Sequence, residues 1–273
     1  MTVVRLCQAV RISRQAYYKG RKTRQRRCVD EAAVINLVKR ECCLQGKLGA
    51  RKLLVLLRDE FDELGVKIGR DRFIELLRLN GLLIARKRRC GPQTTYSRHH
   101  FRTYSNLLKD IDLTGVHQAW VSDLTYLRTE EGFLYVSLIS DAWSRKIVGY
   151  EGSDTLEATG SLKALSKAMR QLPSNFSPIH HSDRGIQYAC WDYVRSLESR
   201  GIAVGMTEDD HCYENAQAER LNGILKQEYG LGETFRDKAQ ACAALRQAVL
   251  LYNTRRPHTS LNYQFPSQVH GVA

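Results

Sequence analysis

No apolar run in the sequence approaches the roughly 20 residues a membrane span needs, so no stretch of it reads as a transmembrane helix. The N-terminus, MTVVRLCQAVRIS, lacks the signal-peptide order of charge, apolar stretch and small residues. Together these absences lead us to expect a cytoplasmic protein. The eight cysteines (Cys7, Cys28, Cys42, Cys43, Cys90, Cys190, Cys212 and Cys242) include no CxxC pair. A reducing compartment disfavours disulfides, and no Cys/His set has zinc-finger spacing. His99-His100 and His180-His181 are adjacent pairs, and adjacent side chains rarely converge on one ion. The thiols therefore read as buried or idle. There is no internal repeat and no low-complexity tract.

What is present suits a globular chain. The 273 residues are 43% hydrophobic and 26% charged, enough for one large domain or two smaller ones with a real core. The net charge of +13 is unevenly spread. Residues 1–109 hold 26 Lys and Arg against 9 Asp and Glu, a balance of +17, and residues 110–273 carry −4. A basic half implies a polyanion, either nucleic acid or an anionic membrane. The lack of a large amphipathic anchor disfavours the membrane.

The first 90 residues read as helical. Leu6, Ala9 and Val10 share a helical face, and Ser13 is a good N-cap after a break at Arg11-Ile12. A second short helix carrying Tyr17 would complete a small helix-turn-helix. The run RKTRQRR (21–27) reads as a basic linker, followed by a helix at about 30–43. Ala50, Leu53, Leu54, Leu57 and Phe61 fall at amphipathic helical spacing. A further helix at about 70–80 is stopped by Gly81, and ARKRR (85–89) is a second basic run. Arg70, Arg72 and Arg78 would face phosphate or groove, or simply form a solvated basic face.

Residues 91–112 read as a linker. From Ala119 the period changes to that of strands: AWVSDLTYL, FLYVSLIS (133–140) and RKIVGYEG (145–152). A helix at 155–171, a strand in SPIHHSD (177–183), a helix at about 188–200 and a strand in GIAVGM follow. Helices at about 214–229 and 235–252 close the region. The order β-β-β-α-β-α-β-α predicts a mixed five-stranded α/β sheet flanked by helices over residues 113–273.

Three acids stand out among the 29 in the chain. Asp123 sits mid-strand, where an unpaired charge is costly. Asp183 ends the fourth strand, beside Gly185. Glu219 shares a helical face with Asn215, Asn222 and Lys226. Hard oxygen ligands with open positions suit Mg2+ or Mn2+, and two such ions can serve both sides of a phosphodiester transfer. Asp141 and the Glu208-Asp209-Asp210 run are competing acids of the kind any acid-rich domain offers.

The segments WVSDLTYL, HHSDRGIQY, NAQAERLNGILKQEY and YNTRRPHTSL (252–261) resemble the DDE transposases of two-frame bacterial insertion sequences, as their downstream-frame product. Asp183 and Glu219 are separated by 35 residues, as in that family's D-D-35-E pattern. RISRQAYYK and LGARKLL with VKIGRDRFIELLRLNGLL resemble its helix-turn-helix segments, so the likeness covers almost the whole chain. The resemblance implies an RNase H-like fold shared with retroviral integrases, preceded by an all-α helix-turn-helix region at 1–90. It implies DNA cleavage and strand transfer with Asp123, Asp183 and Glu219 as catalytic metal ligands for two ions. It places Lys226 where related integrases carry a DNA-contacting lysine, although an exposed helix lysine is an equal reading. Arg255, Arg256 and His258 would contact DNA or brace the active-site edge, or belong to a packed turn set by Pro257. Expected partners are element-end and target DNA, further copies of the chain on that DNA, and the upstream-frame product as a fusion. The expected location is therefore nucleoid-associated.

One segment departs from the family. The family usually has serine and basic residues before a Cys-Tyr-Asp-Asn segment, whereas here MTEDDHCYENA carries Glu208, Asp209, Asp210 and Glu214. Extra negative charge there would weaken DNA binding or alter its geometry. Two other functions stay open at this point: a remnant that binds DNA without cutting it, and an RNase H-class nuclease that cleaves without joining.

Overall fold

A computed structural model describes residues 2–84, 100–109, 111–208 and 212–271. The basic run 85–89, residues 91–99 of the expected linker, and Asp209 and Asp210 lie outside the described residues. The chain divides into two compact units, Met1–Leu44 with Leu48–Ala85 and Gln45–Lys47 with Arg86–Ala273.

The first unit is helical. Helix α1 (Val3–Ala9) turns at Arg11, whose φ is 52°, into α2 (Arg14–Leu44). Ser13 caps α2, its Oγ accepting from the backbone N–H of Ala16 over 3.0 Å. α1 turns inward at Cys7, with Val3 and Leu6 half-buried, whereas Ala9 and Val10 face solvent. The expected linker at 21–27 is in fact the middle of a 31-residue helix. Its Arg, Lys and Gln side chains are good helix formers with no proline to interrupt them. Arg27 also pairs with Glu31 one turn on at 2.9 Å. Residues 21–29 are all exposed. The apolar stripe begins only at Val34, Ile35 and Val38. On it pack α3 (Ala50–Leu56), α4 (Arg58–Glu63) and α5 (Arg70–Leu79), around Phe61 and Phe73 with ring centroids 6.0 Å apart. The single helix expected here is broken at Leu57, which leaves helical geometry yet stays buried. Gly81 follows α5 at φ 67°, a conformation that favours glycine.

The second unit is a mixed sheet. Strands β1 (Ala119–Thr129), β2 (Gly132–Asp141) and β3 (Ile147–Ser153) form an antiparallel meander. After helix α6 (Ala158–Gln171), β4 (Ile179–Ser182) runs parallel to β1. Helices α7 (Ile186–Ala189) and α8 (Trp191–Glu198) lead to β5 (Ala203–Met206), parallel to β4. The strand order is β3-β2-β1-β4-β5. Then come α9 (Ala216–Glu228), a two-residue β6 (Thr234–Phe235) beside the end of β1, α10 (Lys238–Arg255) and α11 (Pro266–Gly271). This is the RNase H-like arrangement expected, with one short strand added.

Strand alternation builds a core on each face of the sheet. Leu134, Val136 and Leu138 of β2 pack toward α9 and α10. Trp120, Ile139 and Val148 pack toward α6 and α8. Gly149 lets α6 lie close: a Cβ there would stand 2.3 Å from the Ala164 carbonyl oxygen. The described part of the expected linker packs on this unit, with Phe101 and Tyr104 against the α6–α8 core and Leu108 against Ala119 and Val121.

Candidate active site

Asp123 lies midway along β1, opposite Leu138 of β2. Parallel pairing sets Trp120 beside His180 and Val121 beside His181. Two residues further along both strands, that register brings Asp123 and Asp183 to the same face, with Asp183 one step beyond β4. The Gly185 backbone N–H donates to Asp183 Oδ1 over 3.1 Å. A Cβ on Gly185 would stand 3.0 Å from that oxygen, so a larger residue would crowd the carboxylate.

Helix α9 supplies the rest. Asn215 donates to the Ser122 carbonyl at 3.0 Å, and Asn222 donates to Asp123 Oδ2 at 2.6 Å. Lys226 lies over the Tyr126 ring, its Nζ 4.7 Å from the centroid. These three residues and Glu219 share the face predicted from their spacing. Asn222 is one functional residue that sequence reasoning placed on the face without assigning it a role. Burial pulls the Lys226 ammonium below its usual range, and the nearby negative charge of Asp123 opposes that shift.

Asp123 is half-buried. Burial pushes its carboxyl up to about 7, the charge of Asp183 adds to the rise, and hydrogen bonds from Leu124 and Asn222 restrain it. Glu219 raises it least of the named groups. Glu219 itself is exposed. Among the described residues, no group of three or more His, Cys, Asp or Glu stands ready to hold a metal ion. The two aspartates are thus neighbours, and Glu219 stands further out. Like charges resist a closer approach unless a cation is between them.

A buried layer that sequence reasoning missed lies beneath the aspartates. His180 Nε2 is 2.7 Å from Ser122 Oγ and 2.9 Å from the Tyr193 hydroxyl. Burial holds the His180 imidazole down at about 3, so it is neutral. Tyr188 meets the Tyr193 ring edge-on, its hydroxyl buried without a hydrogen-bond partner and within reach of the charges of Asp123 and Asp183. Asp141 has a different environment. It is fully buried and accepts from His117 N at 2.7 Å, Ser144 N at 2.7 Å and Ser144 Oγ at 2.8 Å. These bonds tie down the β2–β3 turn.

The comparisons bear on the family of the chain. Residues 114–212 and 200–266 each match an integrase core domain family. The chain is 34% identical to an uncharacterized 31 kDa protein of insertion element IS600 from Shigella sonnei, covering 96% of each. It is 32% identical to the transposase InsF for insertion sequence IS3A of Escherichia coli, covering 84% of this chain and 80% of that one. The chain belongs to the insertion-sequence transposases with an integrase core. Among solved structures, the HTLV-2 integrase catalytic core domain in complex with magnesium aligns at 15% identity and a TM-score of 0.46, over 57% of this chain and 97% of that one. Membership of that family makes the protein a polynucleotidyl transferase acting in DNA integration. No helix among its described residues is long and apolar enough to cross a membrane.

The basic residues singled out for DNA occupy unlike settings in the transposase. Arg70 pairs with Asp71 at 2.9 Å, Arg72 holds Glu31 at 2.5 Å, and Arg78 pairs with Glu75. The Arg70 and Arg78 side chains remain 61% exposed. Such pairs are weak, and a phosphate can displace the carboxylate. Arg256 differs: it is 2% exposed and grips Glu228 through two hydrogen bonds of 2.7 and 2.9 Å. A guanidinium so placed braces α9 against the segment after α10 and reaches no phosphate. Arg255 is half-buried, and His258 Nδ1 is 2.9 Å from Ser260 Oγ.

Proposed function

We propose that Asp123, Asp183 and Glu219 form the catalytic centre of the transposase, where element ends are cut and joined to target DNA. The observation that carries this reading is the meeting of Asp123 and Asp183 on adjacent parallel strands with α9 laid across them. The donor set fits Mg2+ or Mn2+: it is all carboxylate oxygen, and burial with the neighbouring charge of Asp183 lifts the Asp123 carboxyl to about 7, a cost that a bound cation would offset. One or two such ions, when bound, supply Lewis-acid stabilisation of the attacking and leaving oxygens.

The protein's own groups do the positioning. Asn222 fixes the orientation of Asp123, and the Gly185 amide fixes that of Asp183. Glu219 swings on an exposed stem to complete the set. Lys226 stands beside the Asp123 carboxylate as a cation for the DNA strand. In the first unit, the exposed basic stretch of α2 and the arginines of α5 hold DNA as a helix-turn-helix region at 1–90. We also infer self-association on DNA, action as a fusion with an upstream-frame product, and a nucleoid location. These rest on the kinship with insertion-sequence transposases. The reading is tested by melting the protein with millimolar Mn2+ or Mg2+. A ligand bound only by the folded state raises the melting temperature. The rise is expected in the wild type and absent in Asp123→Asn; a full rise in that variant would place the metal elsewhere.

A further inference from the structure

A second constellation lies on the other flank of α9. A cavity of about 320 Å3 is lined by Ser140, Arg145, Gln217, Arg220, Tyr252 and His258, among others. At 100° per residue, Gln217 and Arg220 point away from the face that carries Asn215, Glu219, Asn222 and Lys226. Arg145 adopts a φ of 65°, which a non-glycine residue takes at a cost in energy. Its Nε is buried without a hydrogen-bond partner. Among the described residues, no carboxylate lies within ion-pair distance of Arg145 or Arg220. Arg145 feels Asp141 only from a distance.

Two guanidinium groups around one cavity, Arg145 half-buried and Arg220 exposed, repel each other at a cost that water screens only in part. An anion between them removes that cost. The planar fork of arginine matches phosphate oxygens two at a time. The Ser140 hydroxyl and the Gln217 amide add neutral donors. Burial pushes the Tyr252 phenol up to about 12, so it also stays a neutral donor.

The place along the sheet says which phosphate. Ser140 pairs with Val121, two residues before Asp123. A strand advances about 3.3 Å per residue. The cavity therefore adjoins the carboxylates across a single helix, near the reacting bond but not on it.

We propose that this cavity binds one backbone phosphate of the DNA, clamped by Arg145 and Arg220, and so sets the path of the strand entering the catalytic centre. The inference rests on the reading that the carboxylates act on DNA. Binding of the full-length protein to a DNA duplex, followed across a salt series, tests it. Arg220→Ala alters an exposed side chain, so the fold is expected to hold. It should weaken binding about tenfold, the loss of one charged hydrogen bond. It should also lower the slope of log affinity against log salt by about one. Arg145→Gln should do the same. Arg246→Ala, on the exposed side of α10, should change neither. Unchanged affinity and slope in both Arg145→Gln and Arg220→Ala would overturn the proposal. So would a cavity that takes only free anions, shown by inorganic phosphate raising the wild-type melting temperature while the DNA slope stays unchanged in Arg220→Ala. Failure of the catalytic reading shows separately, as DNA cutting by Asp123→Asn, and leaves the slope test valid.

Discussion

The helical unit and the α/β unit carry their charge in opposite ways. The helical unit, residues 1–44 and 48–85, holds 18 Lys and Arg against 9 Asp and Glu, a surplus of +9, and, apart from the buried Glu41, pairs its charges near the surface: Arg27 with Glu31, Arg40 with Glu60, Arg70 with Asp71. The α/β unit, residues 45–47 and 86–273, holds 24 Lys and Arg against 20 Asp and Glu, a surplus of +4, and draws several charges inward. Asp141 is fully buried, Arg256 is sealed against Glu228, and Asp123 is lifted to about 7. Surface charge is screened, exchangeable and suited to gripping a polyanion. Buried charge is held in one geometry and suited to chemistry. On the function proposed above, grip falls mainly to the helical unit and reaction to the α/β unit.

The largest effect should come from the aspartates. Asp123→Asn and Asp183→Asn keep shape and remove charge. Each should lower DNA cleavage by about a thousandfold or more, the loss of several kcal/mol of transition-state stabilisation. The double variant should be no worse than either single one, because the two act as a unit. DNA binding and its salt dependence should survive. Gel assays of cleavage and binding on the same preparations check both halves of the expectation.

The converse change lies in α2. Replacing Arg21, Lys22 and Arg24 by glutamine preserves helix propensity and removes three exposed charges. The slope of log affinity against log salt should fall by up to about 0.9 for each lost phosphate contact. Binding of metal at the aspartates should not change. An unaltered slope would break the division of labour between the two units.

Ion pairs of the two units should differ in worth. Arg256→Met leaves Glu228 without its partner in a nearly closed site and should cost about 3 kcal/mol. Arg70→Ala, at the surface of the other unit, should leave stability nearly unchanged. Denaturant titration of the two variants compares them; equal costs would mean that Arg256 is not the brace described here.

The smallest effect concerns acid. His270 Nδ1 is 2.9 Å from Ser144 Oγ, beside Asp141, and burial together with Lys146 pulls its imidazole down to about 4. Its folded value is depressed below the ordinary 6.5, so its contribution to stability is present above 6.5 and lost as pH falls through about 4. His270→Gln should flatten that part of the stability–pH curve. A curve of unchanged steepness would exclude His270 as its source.

Much of the α/β unit was legible in the sequence, because alternation over β1 to β3 and helical spacing in α6 are strong periodic signals. β6 has two residues and no period to read. The basic stretch 21–27 has no apolar period either, so it read as a linker, although its side chains favour helix. The break at Leu57 was hidden because the apolar spacing runs straight through it. At the candidate site, the face of Asn215, Glu219, Asn222 and Lys226 followed from spacing alone. The hydrogen bonds of His180 to Ser122 and Tyr193 did not, since Ser122 and His180 are 58 positions apart. The burial of Arg256 was equally hidden, because Glu228 lies 28 positions earlier and nothing local marks the pair.

Glu219 is the most demanding test of the account, because it is the exposed member whose charge Asp123 feels least. The decisive measurement is strand transfer by purified Glu219→Gln protein on element-end DNA with Mn2+, under conditions where the wild type is active. The account predicts that the variant binds the DNA with wild-type affinity and yields no joined product. Joined product at the wild-type rate would show that the third carboxylate of the catalytic centre is not Glu219.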